Sequence, residues 1–301
     1  MRIKYDENKK MFKLDTDNTT YIIGLAPEGY VGHVYYGKKL KEFGGYYRLR
    51  TQEPPFTPSV NEREKSSFLD YFPMEYPTGG IGDYRESCIN VRNEKGCMGA
   101  ELLFHSYSIE EGKPQLDGLP AAFGTPKEVQ TLRILCTDAV LGLEVELMYS
   151  VFAKEDVITR SVKVHNAGTN VLRLDKAYSA CLDLDNQDFE MISLCGTWAR
   201  ERHIQRARVS YGRQSVSSGK GESSHQEHPF LALVTPDTTQ EHGEVYAMNF
   251  VYSGNFLAQA ERTQFDQVRM VMGILSEEFS WKLNTGETFQ APEVVMIYSA
   301  Q

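Results

Sequence analysis

Apolar residues recur at every second position over much of this chain, and this spacing constrains its fold more than any other feature. In residues 143–151 the odd-numbered positions are apolar and most of the even-numbered positions are polar. Successive side chains of a β-strand point to opposite faces, so the pattern predicts a strand with one buried face. The 3.6-residue spacing of an amphipathic helix is almost absent, and the best helical candidate, residues 61–70, is short and polar.

Many other segments have the composition of strands and are separated by Gly, Pro and Asn residues, which favour turns. The predicted strands cover residues 20–25, 33–36, 87–92, 99–107, 131–136, 158–164, 171–179, 230–234, 243–252, 267–272 and 294–298. A dozen or more strands without crossover helices favour antiparallel pairing in two large, packed sheets. We therefore predict an all-β sandwich that forms one domain over residues 1–301.

The charge and hydropathy of the chain exclude several classes of function. It has 32 Lys and Arg residues against 41 Asp and Glu residues, which gives a formal net charge of −9. We find no clustered basic face, and an acidic surface repels phosphate backbones, so we expect no nucleic-acid partner. No apolar run reaches the roughly 18–20 residues of a membrane span, and the N-terminus has no signal-peptide pattern. We expect a cytoplasmic protein with no membrane partner.

The cysteines agree with a reducing compartment. The chain has five of them, an odd number, and none is in a C-x-x-C motif. A disulfide framework or a structural zinc site would favour an even, closely paired set. We predict reduced thiols that pack as small apolar residues, with one open alternative, a pairing of Cys88 with Cys97 across a hairpin.

The densest charged cluster beside an aromatic side chain is the run from Arg200 through Glu201 to Arg202, which follows Trp198. The donor fork of Arg suits hydroxyl and carboxylate groups, and the face of Trp stacks on the apolar face of a sugar. The same residues also describe a solvated charge run beside a core tryptophan. Composition alone favours this second interpretation.

Residues 220–229 combine serine, histidine and glutamate side chains in one short segment. A Ser–His pair can supply a nucleophile and a base, but the G-x-S-x-G elbow that would place such a serine is absent. His225 and His228 have a spacing that allows a shared metal, yet no third ligand accompanies them. We interpret the segment as a polar loop that leads into the strand over residues 230–234, and we predict neither a metal nor a cofactor.

A glycosidase would need two carboxylates about 5–9 Å apart. The sequence offers two pairs of acidic residues that are one or two positions apart. One is Asp183 with Asp185, and the other is Glu277 with Glu278. Asp183 and Asp185 alternate with leucines, so both lie on the face of the strand opposite to the apolar one. We therefore expect them to face the solvent.

Six blocks of sequence together resemble the N-terminal region of bacterial α-galactosidases of glycoside hydrolase family 36. They are residues 75–85 (EYPTGGIGDYR), 116–121 (LDGLPA), 196–202 (GTWARER), 221–230 (GESSHQEHPF), 250–256 (FVYSGNF) and 292–296 (PEVVM). The resemblance implies a mutarotase-like β-supersandwich, in agreement with the predicted strands. It also implies that a (β/α)8 barrel follows this domain and carries both catalytic aspartates of a retaining mechanism, with a β-domain after the barrel. We therefore expect no catalytic residue within residues 1–301.

The resemblance assigns this segment a supporting role at the sugar pocket and between subunits. It implies that Trp198 forms a pocket wall against galactose and that Glu53 and Lys65 contribute to the pocket rim. Where the family has Asp and Arg, this sequence has Glu53 and Lys65, and Lys cannot form the bidentate fork of Arg. Structural or interdomain roles are implied for Arg200, Glu201, Arg202, Asp83, Arg85 and His225. The implied partners are α-galactoside sugars, the chain's own catalytic barrel and the other subunits of a homotetramer.

A second hypothesis is a free-standing carbohydrate-binding or aldose-mutarotase-like sandwich. A mutarotase needs a general acid and a general base that face each other in a cleft, usually a histidine and a carboxylate. The candidates in this sequence are His225 with Glu190 or Glu244.

Overall fold

The computed structural model describes residues 2–44, 49 and 68–300 of the chain. Within these ranges the secondary structure consists of strands and turns without a helix, which confirms the predicted all-β class. No described segment forms a helix that is long and apolar enough to cross a membrane. The strands are β1 (Ile3–Asp6), β2 (Met11–Asp15), β3 (Thr19–Leu25), β4 (Val31–Lys38), β5 (Ile89–Arg92), β6 (Leu103–Glu111), β7 (Val129–Asp138), β8 (Leu143–Phe152), β9 (Val157–Asn166), β10 (Leu172–Asp185), β11 (Glu190–Thr197), β12 (Arg200–Arg208), β13 (Gly212–Ser218), β14 (Phe230–Val234), β15 (Glu244–Val251), β16 (Phe256–Arg262), β17 (Gln267–Ile274), β18 (Trp281–Leu283), β19 (Thr288–Gln290) and β20 (Glu293–Ala300).

The described strands form three antiparallel sheets, which pack around a main apolar cluster and a smaller one. A four-stranded sheet has the order β1-β2-β3-β4, and a six-stranded sheet has the order β13-β16-β17-β10-β18 with β5 also paired to β10. A ten-stranded sheet has the order β12-β11-β14-β15-β20-β9-β8-β7-β6, with β19 also paired to β9. The main apolar cluster takes residues from all three sheets, such as Phe12, Leu147 and Met270. The all-β sandwich predicted from the strand pattern is therefore confirmed, although the described strands form three sheets where two were expected, because β1 to β4 pair only with one another.

Strand β8 shows how local sequence produces this architecture. Its odd-numbered residues from Leu143 to Val151 are buried, whereas Glu144 and Glu146 on the other face keep part of their surface exposed. The strand pairs with β7 on one side and β9 on the other without a register shift. The two-residue alternation therefore directs one face to the core, as predicted.

Other strands lack this signal and were not predicted. β12, with the sequence RERHIQRAR, has no alternation because all nine of its residues are exposed at the edge of the ten-stranded sheet. β1, β2, β11, β13, β16, β18 and β19 also went unpredicted. Of the helical candidate at residues 61–70, only residues 68–70 lie within the described ranges, and they form a turn.

The five cysteines are all free thiols. Cys88 is buried and Cys97 is exposed, so the open alternative of a disulfide between them is wrong. Burial raises the pKa of the Cys136 thiol to about 12, which keeps that side chain protonated and apolar in character.

The expectation that Asp183 faces the solvent is wrong, whereas Asp185 is exposed. Residues 69–85 cover the second face of the six-stranded sheet at this point, and the Asp183 side chain is only 1% exposed. Arg269 lies directly opposite it on β17 and donates two hydrogen bonds to its carboxylate, of 2.7 and 2.8 Å. Burial alone would raise the pKa of Asp183, but Arg269 and then Arg85 lower it to about 2.

Asp83 and Arg85 belong to the same buried ion cluster. Arg85 donates to Asp83 at 2.8 Å and to Asp183 at 3.5 Å, and Arg269 donates to Asp83 at 3.0 Å. Arg85 also donates to the carbonyl oxygens of Leu69 and Phe72. The cluster thus ties the segment that contains the first sequence block to β10 and β17.

A second buried cluster is centred on Glu75, whose side chain is fully buried between two sheets. Its carboxylate accepts hydrogen bonds from the hydroxyls of Tyr21 (2.8 Å) and Tyr149 (2.6 Å), contacts His33 Nδ1 at 3.0 Å and pairs with Arg160 at 3.2 Å. Burial raises the pKa of Glu75, but Arg160 and His33 outweigh it, so the net direction is downward. One carboxylate therefore links the four-stranded sheet to the ten-stranded one.

Candidate functional site

The hairpin formed by β11 and β12 presents Trp198 at its tip. The Trp198 side chain is 84% exposed, so the interpretation of this residue as a core tryptophan is wrong. The tip turns tightly, with a left-handed backbone at Ala199 (φ 60°) and again at Arg202 (φ 58°). The carboxylate of Glu201 accepts a hydrogen bond of 2.8 Å from the backbone N–H of Ala199 and so closes the turn.

Gly196 is required by this turn because the two strands approach each other closely beside it. A Cβ atom at position 196 would lie 2.2 Å from the carbonyl oxygen of Arg200 and 2.8 Å from Cα of Glu201. Both neighbours are backbone atoms and cannot move aside without opening the hairpin. The glycine of the GTWARER block therefore has a steric explanation.

The loop over residues 219–229 lies against the base of this hairpin. The backbone N–H of Gly196 donates to the carbonyl of Gln226 and that of His228 donates to Leu194, both at 3.0 Å. On its other side, the N–H of Ser223 donates to the carbonyl of Ser253 at 2.8 Å. The segment is the polar loop that the sequence predicted. These bonds bring together three sequence blocks that are distant along the chain, 196–202, 221–230 and 250–256.

A cleft of about 650 Å³ opens between the hairpin and the loop. Its lining residues are Glu201, Arg202, Ser223, Ser224, His225, His228 and Pro229. The backbone N–H groups of Glu201 itself and of Ala199 lower the pKa of the Glu201 carboxyl, and burial together with Arg202 lowers the pKa of His228. The cleft therefore offers a carboxylate, a guanidinium and a neutral imidazole near neutral pH, groups that bind sugar hydroxyls.

The groups proposed for catalysis within this chain are not brought together. Glu190 pairs with Arg206 at the far end of β11, and Glu244 accepts a hydrogen bond from Tyr298 at the far end of β15. Each is six or more strand residues from the loop that carries His225, a separation of roughly 20 Å. The mutarotase pair is therefore absent from the described residues.

The described part of the chain also shows no nucleophile or metal centre near this cleft. The Ser224 hydroxyl accepts a hydrogen bond from the N–H of Gln226, and neither Ser223 nor Ser224 bonds His225. No group of three or more His, Cys, Asp or Glu side chains there could hold a metal ion. Of the carboxylate pairs that the sequence offered, Asp183 is held by Arg269 inside the ion cluster, and Glu277 and Glu278 are exposed in the segment before β18.

The remaining predicted site residues lie elsewhere. Arg200, Glu201 and Arg202 are exposed and form no ion pair within the described ranges, so their interdomain role stays a prediction. Asp83 and Arg85 lie in the buried ion cluster and not in the cleft. Glu53 and Lys65 lie outside the described residues.

Glu293 forms a buried ion pair that the sequence did not indicate. Its buried carboxylate pairs with Lys113 at 2.8 Å and accepts a hydrogen bond of 2.5 Å from the N–H of Ala122. It thereby joins the sequence blocks 116–121 and 292–296. Lys113 and Ala122 flank the loop over residues 114–120. No local sequence pattern indicates their contact with Glu293.

Comparison with known proteins identifies the family. A sequence profile described as "Glycosyl hydrolase family 36 N-terminal domain" matches residues 29–284, most of the chain. The chain belongs to glycoside hydrolase family 36. This conclusion agrees with the resemblance of its six sequence blocks.

Relatives in family 36 align with the whole of this chain. It is 43% identical over 303 residues to the bifunctional alpha-galactosidase/sucrose kinase AgaSK of Mediterraneibacter gnavus, covering 100% of this chain and 32% of that protein. It is 40% identical over 302 residues to alpha-galactosidase AgaA of Geobacillus stearothermophilus, covering 100% of this chain and 41% of AgaA. The chain thus spans between a third and two fifths of the length of these relatives.

Solved structures of family 36 share the fold. The crystal structure of alpha-galactosidase AgaB from Geobacillus stearothermophilus superposes with a TM-score of 0.94 at 40% identity, covering 100% of this chain and 41% of that one. The galactosidase domain of AgaSK superposes with the same score at 43% identity, covering 99% of this chain and 42% of that domain. Crystal structures of AgaA variants contain raffinose in one case and stachyose in another.

Proposed function

We propose that this chain is the N-terminal domain of an α-galactosidase that hydrolyses terminal α-galactosides such as raffinose by a retaining mechanism. The observation that carries the proposal is the alignment of the whole chain with about two fifths of AgaA. On this proposal both catalytic aspartates belong to a (β/α)8 barrel outside residues 1–301, which is followed by a further β-domain. The cleft beside the hairpin supports this division, because the described residues that line it include one carboxylate and not a facing pair.

In this role the hairpin forms part of the rim of the sugar pocket. A tryptophan that is 84% exposed leaves a large apolar face in water, and a sugar ring would cover that face. Arg202 and Glu201 beside it would bind hydroxyl groups at the edge of the sugar. Glu53 and Lys65 are proposed to join the same rim.

The exposed strand β12 supports a second role in assembly. It is one of the two edge strands of the ten-stranded sheet among the described residues, and all nine of its residues are accessible there. Unpaired edge strands are usually protected by charges or covered by another chain, and this one has four arginines. We propose that the catalytic barrel or a neighbouring subunit of a cytoplasmic homotetramer covers it.

The rim role is tested by fusing this chain to the remaining part of AgaA in place of that enzyme's own first two fifths. Trp198→Ala in the fusion is expected to raise KM for raffinose about tenfold while kcat changes less than about twofold, because stacking stabilises substrate and transition state alike. Trp198→Phe should recover most of the affinity. The measurement is steady-state hydrolysis of raffinose.

The matched control for this experiment is Tyr84→Ala, which removes another aromatic side chain that is 83% exposed. Tyr84 does not line the cleft beside the hairpin, and its neighbours in the chain, Asp83 and Arg85, belong to the buried ion cluster. An unchanged KM in Trp198→Ala, or an equal rise in Tyr84→Ala, would remove the rim assignment.

A further inference from the structure

A cleft of about 720 Å³ lies between the loop around residue 118, the segment before β18 and the strand β19. The turn over residues 252–255 separates it from the cleft beside the hairpin. Tyr252 lines the present cleft. In the same turn, the carbonyl of Ser253 accepts a hydrogen bond from the N–H of Ser223, which lines the cleft beside the hairpin. The lining of this cleft includes three aromatic residues, Trp281, Phe289 and Phe279, and three charged residues, Lys163, Asp117 and Glu278.

The aromatic residues of this cleft form a fixed platform. Trp281 is 47% exposed, and its backbone is held by pairing with Leu174 of β10. Phe289 is buried and lies 5.3 Å from the Trp281 ring at 60°, and 5.7 Å from the Phe279 ring at 66°. Because one side of the Trp281 ring is packed and the rest is open, a planar apolar ligand face can stack on it with little loss of side-chain entropy.

Three charged side chains of the cleft lack partners among the described residues. In the described ranges the side chains of Lys163, Asp117 and Glu278 form no hydrogen bond or ion pair, whereas the buried Lys113 is paired with Glu293. The set contains both signs of charge, so it does not select an anion such as a phosphate. Ammonium and carboxylate groups beside an aromatic face are the usual means of binding neutral hydroxyl groups.

We propose that this cleft binds a neutral oligosaccharide, with one sugar ring stacked on Trp281 and its hydroxyls bound by Lys163, Asp117 and Glu278. The choice of an α-galactoside as the ligand rests on the proposed function. The platform and the polar groups are independent of that function, and a cleft of this volume accommodates two or three sugar rings.

The two tryptophans of the chain allow each cleft to be observed separately. In the Trp198→Phe variant Trp281 is the only tryptophan, and in Trp281→Phe only Trp198 remains. Titration of each purified chain with raffinose is followed by tryptophan fluorescence, with maltotriose as the control sugar. We expect a saturable change in the emission of Trp281, and a weaker response to maltotriose.

Lys163→Met and Glu278→Gln, each introduced into the Trp198→Phe chain, keep the platform and remove polar contacts. We expect each to weaken raffinose binding about tenfold while the unfolding midpoint in urea stays unchanged. The absence of a saturable change, or unaltered affinity in both polar variants, would overturn the proposal. Equal binding of maltotriose would overturn the choice of an α-galactoside as the ligand. These outcomes leave the rim assignment standing, because hydrolysis by the AgaA fusion tests that assignment separately.

Discussion

Glu75→Gln is expected to lower the free energy of unfolding by about 3–5 kcal/mol, because it leaves a buried guanidinium without its counter-charge. The Glu75 carboxylate accepts hydrogen bonds from two tyrosines and pairs with Arg160, whose side chain is only 1% exposed. The amide of Gln carries no charge. Its NH2 group would face the hydroxyls of Tyr21 and Tyr149, which donate hydrogen bonds to the carboxylate in the wild-type chain. Urea denaturation followed by circular dichroism measures the change.

The matched control is Glu277→Gln, the same substitution at an exposed position, which should change stability by less than about 0.5 kcal/mol. The double variant Glu75→Gln with Arg160→Met removes both charges and should recover part of the loss. A cost below about 1 kcal/mol for Glu75→Gln alone would show that this cluster does not hold the two sheets together.

Asp183→Asn is expected to cost a similar 3–5 kcal/mol near neutral pH, because Arg269 and Arg85 would lose the carboxylate between them. The wild-type chain should also show a distinct pH dependence at this residue. The pKa of Asp183 is lowered from 3.8 to about 2 on folding, so its stabilising contribution is complete above about pH 4. The contribution declines as the pH falls toward 2 and amounts to about 2 kcal/mol in total.

The difference in unfolding free energy between the wild type and Asp183→Asn isolates this group from the other acids. Denaturation at several values between pH 2 and pH 6 should show the difference shrinking toward low pH. Asp237→Asn, at an exposed position in the turn after β14, is the control and should leave the stability nearly unchanged throughout this range. A difference that stays constant down to pH 2 would contradict the lowered pKa.

The burial of a residue can be predicted where it follows from the alternation of its own strand, and not where a distant segment covers it. The burial of β8 follows from the alternation within the strand itself, so it could be predicted. Asp183 could not, because its burial depends on the segment around Met74 and Arg85, which is about a hundred residues away along the chain. The edge strand β12 has no apolar alternation, because neither of its faces is covered by the described residues.

The candidate site was predictable in part. The polar loop over residues 220–229 and the aromatic at its side were evident from composition and from the resemblance to family 36. Composition favoured a core position for Trp198, and only the tight turn after Gly196 shows why its side chain is exposed. The pairing of Glu293 with Lys113 depends on a contact between distant segments, and no spacing in the sequence encodes it.

On the proposed division of roles, this chain shapes a sugar pocket and does not itself perform the hydrolysis. The most direct test assays the purified chain on an aryl α-galactoside beside its fusion to the remaining part of AgaA. We expect release of the aryl group by the fusion and none above background by the chain alone at equal molar concentration. Turnover by residues 1–301 alone, persisting through repeated purification, would contradict the division of roles proposed for this protein.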